Sequence, residues 1–178
     1  MALIFYKQQH PSTCGIAVFR TMLGNKFNFH KTELSLIRLA EAMYKRKYHP
    51  KAKNDDYKIK KEGTSVTHFA SIAKYFGLKV FSKSWGTIRE LKYLLNHGVF
   101  PIIHRPFELD NEGHYLMISG YTKTHIILFD PARGTPNLKE ETYKEFYKKW
   151  YFPQMDELLF IFFYYEGDLK ISFKGKHL

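Results

Sequence analysis

The sequence predicts an α+β fold in which a helical N-terminal half packs on a C-terminal antiparallel sheet. Two observations favour this class. Before residue 99 the apolar residues recur mainly with helical spacing, and after it they fall mainly into short runs bounded by turn residues. Hydrophobic residues make up 44% of the 178 residues, and no linker or repeat interrupts them. We therefore expect one domain over residues 1–178.

The first predicted helix begins at Cys14. Pro11 disfavours helix at the residue before it, and Ser12 or Thr13 can cap the helix. Gly24 stands where a C-terminal cap is expected. The residues that share one face of this helix are Cys14, Ala17, Val18, Thr21 and Met22.

The remaining elements are predicted from the spacing of apolar residues and from the residues that start or end helices and strands. Thr87 and Glu90 match a capping box, with Gly98 as the stop of that helix. The apolar run Leu158–Tyr165 predicts a central buried strand, since a bilayer-spanning helix needs about twenty apolar residues. Helices are predicted over residues 32–48, 64–76, 87–95 and 140–150, and strands over 99–104, 113–121, 124–129, 158–165 and 169–173.

Cys14 is the single cysteine of the chain, and its position indicates chemistry. A thiolate is the reactive form, and the N-terminus of a helix stabilises it. One cysteine forms no internal disulfide and no cysteine metal cluster, which fits a reducing compartment. The segment Met1–Tyr6 lacks the pattern of a signal peptide. These features predict a cytoplasmic protein with a free thiol and no cofactor.

A cysteine nucleophile needs a base, an orienting group for that base and donors for the oxyanion. His114 stands near the start of a predicted strand, and Asp130 ends the strand predicted to form a hairpin with it. If both strands have about the same length, the hairpin brings Asp130 beside His114, as in a catalytic triad. Gln8 would supply an amide donor. Of the other histidines, His104 could face the same cleft, whereas His10 lacks a pairing partner.

These residues resemble the double-glycine leader peptidases, also called bacteriocin-processing peptidases, which form family thirty-nine of the cysteine peptidases. The resemblance spans about residues 5 to 165. It rests on Gln8 six residues before Cys14-Gly15-Ile16-Ala17, on Gly113-His114-Tyr115 with the strand ending in Gly120-Tyr121, and on Asp130-Pro131-Ala132-Arg133-Gly134. It implies a papain-like fold with Cys14 as nucleophile, His114 as general base, Asp130 as orienting residue and Gln8 in the oxyanion hole.

The sequence departs from this family in two places. Thr13 stands where the family commonly has Asp, and residues 45–62 look like an insertion. The formal net charge is +11, and Lys45–Glu62 contributes eight positive and three negative charges to it. We expect an exposed basic loop there. Its functional interpretation is an anionic partner or the steering of an acidic substrate, and its alternative is a solvated face of a basic protein.

The sequence therefore predicts a cysteine peptidase that hydrolyses a peptide bond through an acyl-enzyme. The resemblance implies peptide substrates, such as a leader or precursor peptide, although the usual members are fused to a membrane-spanning transporter and this chain has no transmembrane segment. Two alternatives stay open. One is a non-catalytic module of the same fold that binds a peptide or an anion, and the other is an acyl transferase with the same triad.

Overall fold

The computed structural model describes residues 3–48, 58–106, 113–132, 138–153, 156–167, 169 and 174–177. The helices are α1 Cys14–Phe27, α2 Glu33–Tyr48, α3 Ile59–Glu62, α4 Val66–Tyr75, α5 Ile88–Asn96 and α6 Tyr143–Trp150. The strands are β1 Lys79–Lys83, β2 Ile102–Pro106, β3 Gly113–Tyr121, β4 His125–Phe129, β5 Leu138–Thr142, β6 Phe160–Tyr164 and β7 Lys176–His177.

The strands form one antiparallel sheet in the order β5-β4-β3-β2-β6-β1-β7. Helices α1 and α4 contact strands β3 and β1, and α2 packs on both helices. Helices α5 and α6 contact β3, β2 and β5. The α+β class predicted from the sequence is confirmed, and helices cover both faces of the sheet.

Strand β6 shows why the sheet needs a cover on each face. Ile161 and Phe163 belong to the core that α1, α2 and α4 share, whereas Phe160, Phe162 and Tyr164 belong to the core under α5 and α6. Side chains alternate between the faces of a strand, so a strand apolar at every position requires two apolar covers. The prediction of a central buried strand is confirmed, since β6 lies between β2 and β1.

Several predicted boundaries are wrong. Helix α1 continues through Gly24 to Phe27, and Asn28, with a left-handed φ of 55°, ends it. The helix expected from residue 140 begins at Tyr143, because residues 138–142 form β5 and Thr142 with Glu145 makes the capping box. Strands β1, β5 and β7 were not predicted from the sequence. Of the strand expected over 169–173, residues 170–173 lie outside the described residues.

The loop expected over residues 45–62 is helical at both of its ends. Lys45 to Tyr48 complete α2, and Ile59–Glu62 form α3. Residues 49–57 lie outside the described residues. Among the residues that are described, none of the helices has both the length and the apolar composition needed to cross a bilayer.

Candidate active site

Cys14 is the first residue of α1 and is buried, with 6% of its surface exposed. Thr13 occupies the N-cap position, but its side chain does not cap the helix, contrary to the expected cap at Ser12 or Thr13. The Thr13 hydroxyl instead lies 2.7 Å from the His10 carbonyl oxygen and 2.6 Å from Oε1 of Glu33. Without a side-chain cap, the N–H groups at the start of α1 stay free to stabilise negative charge near the sulfur.

His114 lies between Cys14 and Asp130. Its Nε2 is 2.9 Å from Oδ1 of Asp130, and its ring lines the same cavity as Cys14, which acts on the pKa of the imidazole. Both His114 and Asp130 are buried. The structure thus brings together three of the four residues predicted from the sequence, in the order nucleophile, imidazole and carboxylate.

The environment of His114 favours the imidazolium. Burial alone would lower the pKa of His114, but hydrogen bonds to Asp130 and Cys14 and the negative charge on both raise it to about 9. Oδ1 of Asp130 also accepts a hydrogen bond from the Ala132 backbone N–H at 2.9 Å. The carboxylate is therefore fixed by the turn that follows β4.

The hairpin brings Asp130 to His114 by a different route from the one expected. Strand β3 has nine residues and β4 has five, so the strands are unequal in length. A register shift between Ile118 and Gly120 absorbs an extra residue, and Met117 pairs with Phe129. The residue after β4 therefore falls near the start of β3, and the Asp130 side chain reaches the imidazole diagonally.

Gln8 lies beside the same site, and its amide is already engaged. Its backbone N–H donates to the Pro131 carbonyl at 3.1 Å, which joins the segment before α1 to the turn after Asp130. Its side-chain Nε2 donates to the carbonyl oxygens of His10 at 2.9 Å and Pro11 at 2.7 Å. Oε1 is buried and has no hydrogen-bond partner. The predicted role of Gln8 as an oxyanion donor stays a prediction, because it requires one of these bonds to be released or shared.

A cavity of about 690 Å³ opens onto these residues, and Gln8, Cys14 and His114 line it. Its lining also includes the segment Lys61–Thr64, His104 and Phe152. A cavity of this size accommodates several residues of an extended chain or a small organic molecule.

His104 faces this cavity, as the sequence suggested. Its ring packs on Tyr115 with centroids 4.7 Å apart, and its Nδ1 is buried without a partner. Burial, and then the positive charge of His114, lower the pKa of His104 to about 4, so the ring is neutral at pH 7. The Nδ1 of His10, unlike that of His104, has a hydrogen-bond partner: it lies 3.4 Å from the backbone nitrogen of Ser12.

Two residues near Cys14 were not singled out from the sequence. Thr64 packs on Gly15, where a Cβ atom would lie 2.6 Å from the Thr64 Cβ. Glu33 is buried and contacts the turn before Cys14. A glutamate in the first turn of a helix is ordinary, and no local pattern reveals that its carboxylate turns inward. In the described part of the chain, no group of three or more His, Cys, Asp or Glu side chains is placed to hold a metal ion.

A protein-family model matches the sequence over most of its length. The model of the Peptidase C39 family matches residues 39–152, a range that contains His114 and Asp130 and begins after Cys14. No curated protein matches the sequence.

Solved structures share the fold at low sequence identity. The peptidase domain of Streptococcus ComA, a bi-functional ABC transporter involved in a quorum-sensing pathway, has a TM-score of 0.63 at 17% identity, over 92% of this chain and 99% of that one. A putative C39-like peptidase from Bacillus anthracis has a TM-score of 0.60 at 14% identity, over 90% and 94% of the two chains. The peptidase domain of Streptococcus mutans ComA has a TM-score of 0.55 at 18% identity, over 90% and 98%. Because the family model covers more than half of the sequence, the chain belongs to the Peptidase C39 family.

Proposed function

We propose that this protein is an active cysteine peptidase with Cys14 as nucleophile, His114 as general base and acid, and Asp130 as the residue that orients His114. The observation that carries the proposal is the position of the His114 ring, which contacts the Asp130 carboxylate at 2.9 Å and lines one cavity together with Cys14. Membership of a peptidase family supports the reaction class.

The reaction follows from these contacts. His114 takes the thiol proton, and the Cys14 thiolate attacks the carbonyl carbon of a peptide bond to give a tetrahedral oxyanion. Collapse of this species breaks the C–N bond, and the imidazolium donates its proton to the leaving amine. His114 then removes a proton from water as the water attacks the thioester. The C–S bond breaks, the carboxylic acid leaves, and the imidazolium returns its proton to the Cys14 sulfur.

The oxyanion would be held by the Cys14 backbone N–H and by the Gln8 amide. Gln8 Nε2 lies next to the turn whose carbonyl oxygens accept its two hydrogen bonds. A substrate oxyanion is a stronger acceptor than a carbonyl oxygen, so it can draw one of these N–H groups from its present partner.

We propose a peptide or protein as the substrate, a leader or precursor peptide being the class that the resemblance implies. The cavity is lined by Lys61 and Glu62, at the end of the basic segment 45–62. An acidic substrate or another anionic partner would meet Lys61 at the cleft. The free thiol fits the cytoplasmic location that we propose. A nucleophile on a helix and a base on a strand fit the papain-like class that we propose.

Alkylation of Cys14 tests the activated thiol. The protein is treated with iodoacetamide at about pH 5.5 and about pH 8, and the adduct is located by mass spectrometry. We expect the Cys14 thiolate to react at the lower pH more than about tenfold faster than an ordinary cysteine with a pKa of about 8.5. His114→Ala should remove this advantage, and His125→Ala, a partly exposed strand histidine, serves as the matched control.

Cleavage of a peptide library, with Cys14→Ser as the blank, then separates the remaining possibilities. Hydrolysis products that require Cys14 support the peptidase. Products joined to an added amine would instead indicate an acyl transferase. Equally slow alkylation of the wild-type protein and His114→Ala would contradict catalysis and favour a binding module.

A further inference from the structure

Glu33 is a buried carboxylate at the first position of α2, with 1% of its surface exposed. Among the residues that the structure describes, no Lys, Arg or His side chain forms an ion pair with it. A buried carboxylate is unfavourable unless hydrogen-bond donors replace the water that it has lost. The donors that Glu33 does have therefore decide what it does.

These donors all belong to the turn before the nucleophile. The Gln9 backbone N–H donates to both carboxylate oxygens, at 3.0 Å and 3.1 Å, and the Thr13 hydroxyl lies 2.6 Å from Oε1. The Thr13 hydroxyl has one proton and also lies 2.7 Å from the His10 carbonyl oxygen, but a carboxylate is the stronger acceptor, and the distance to Glu33 falls in the range of about 2.5–2.7 Å for a charge-assisted bond. Glu33 thus holds the turn at both of its ends.

The turn separates two residues of the proposed reaction. Gln8 precedes it and Cys14 follows it. The Gln8 amide bonds to carbonyl oxygens inside the turn, those of His10 and Pro11, so its place also depends on the shape of the turn. A shift of the Thr13 end would move Cys14 relative to His114.

We propose that Glu33 is a positioning residue that fixes the distance between the nucleophile and the oxyanion donor by clamping the turn of residues 9–13. This inference rests on the proposed peptidase function for its catalytic consequence. The clamp itself does not depend on that function, because it is a relationship between α2 and the turn.

The role that we propose for Glu33 is to fix the geometry of the turn, and not to change the reactivity of Cys14 through its negative charge. A negative charge near Cys14 opposes formation of a thiolate. If Glu33 acted through its charge, Glu33→Gln would increase the reactivity of Cys14 at low pH. A clamp predicts the opposite, because an amide group cannot accept from Gln9 with two oxygens and is a weaker acceptor for the Thr13 hydroxyl.

The experiment compares Glu33→Gln, Thr13→Val and the double variant with the wild-type protein. Glu90→Gln is the matched control. Glu90 is a mostly buried glutamate of α5 that accepts hydrogen bonds from the Lys83 side chain and the Thr87 backbone N–H, and it does not line the cavity. Hydrogen exchange of residues 8–14, measured by mass spectrometry, reports the clamp. Alkylation by iodoacetamide from about pH 5 to pH 9 reports the thiol.

We expect faster exchange of residues 8–14 in Glu33→Gln and Thr13→Val but not in Glu90→Gln. At about pH 5.5 alkylation of Cys14 should fall about tenfold in each single variant, the factor that corresponds to one charge-assisted hydrogen bond. The double variant should be slower by less than the product of the two single effects, because both substitutions act on the shared contact between Thr13 and Glu33.

Unchanged exchange of residues 8–14 in both single variants would overturn the proposal, as would effects that add in the double variant. Faster alkylation of Glu33→Gln at low pH would overturn it in favour of a charge effect. If the wild-type protein has no low-pH reactivity at all, the peptidase proposal fails, and the exchange of residues 8–14 still decides whether Glu33 clamps the turn. Thr13→Val carries the test alone if Glu33→Gln does not fold.

Discussion

Gly113 and His104 are packed so closely that Gly113 has no space for a side chain. A Cβ atom at Gly113 would lie 2.1 Å from Nε2 of His104, a distance that real Cβ contacts do not reach. Gly113 immediately precedes His114 and pairs with Pro106 at the end of β2, while His104 pairs with Tyr115. The position of His104 in the cavity therefore requires glycine at the residue before the proposed base.

Gly113→Ala should move either the His104 ring or the first residues of β3. We expect a loss of about 1–3 kcal/mol in the free energy of unfolding, as for other overpacked sites, and slower alkylation of Cys14 at low pH. Thermal melting and iodoacetamide labelling measure the two effects. Gly120→Ala, on the same strand, is the control, because its Cβ would lie 3.4 Å from the Ile127 side chain. Equal effects of both substitutions would contradict this explanation.

Gly15 and Gly24 lie in the same helix and should respond in opposite ways. A Cβ at Gly15 would lie 2.6 Å from the Thr64 Cβ, whereas at Gly24 it would lie 3.5 Å from the Tyr6 ring. Gly15→Ala should therefore displace the start of α1 and slow the reaction of Cys14. Gly24→Ala should stabilise the protein by up to about 1 kcal/mol, because alanine favours helix over glycine. Chemical denaturation of both variants checks the signs, and stabilisation by Gly15→Ala would contradict the close contact with Thr64.

The stability of the protein should be highest near pH 6.5. The pKa of His114 is raised to about 9, so its stabilising contribution is complete below 6.5 and is lost as the pH rises towards 9. Burial lowers the pKa of His68 to about 4, and burial with the charge of His114 does the same for His104, so stability falls as the pH drops from 6.5 towards 4. Thermal melting between about pH 4 and 9.5 measures the curve. His114→Gln should flatten the alkaline side and keep most of the acid side, since burial remains the larger cause at His104 and the cause at His68; an unchanged alkaline side would contradict the ion pair.

Asp130→Asn should narrow the pH range over which Cys14 reacts quickly. Burial lowers the pKa of His114, and the Asp130 carboxylate opposes that effect. Without the carboxylate the pKa falls, so His114 loses the proton that stabilises the thiolate at a lower pH. The pH profile of alkylation measures the change. Asp156→Asn is the matched control, since Asp156 bonds to the Tyr151 hydroxyl at the surface. A profile identical to that of the wild-type protein would show that Asp130 does not influence the imidazole.

The parts of the fold and of the site that have a local sequence pattern could be predicted from the sequence. Strand β6 was predictable because a short, continuous run of apolar residues is typical of a strand that is buried on both faces. Strand β5 was not, because its single buried residue, Glu141, pairs with the buried Arg105 across the structure at 3.0 Å. The sequence alone does not distinguish a charged residue that is buried with a distant ion-pair partner from one that is exposed to solvent.

The same distinction applies to the site. The type and spacing of Cys14, His114 and Asp130 were sufficient to expect them together, and the structure brings them together. The Gln8 hydrogen bonds and the inward turn of Glu33 could not be predicted, because both depend on the conformation of the turn at residues 9–13. Neither has a signature within its own segment.

The position of β6 in the sheet also has a consequence for the order of events during synthesis. The ribosome produces Cys14 first, then His114 and Asp130, and β6 after all three, yet β6 joins β2 to β1 inside the sheet. A core that depends on such distant segments forms only after β6 has emerged. The reactivity that we propose for Cys14 would therefore be absent from the nascent protein until this strand is in place.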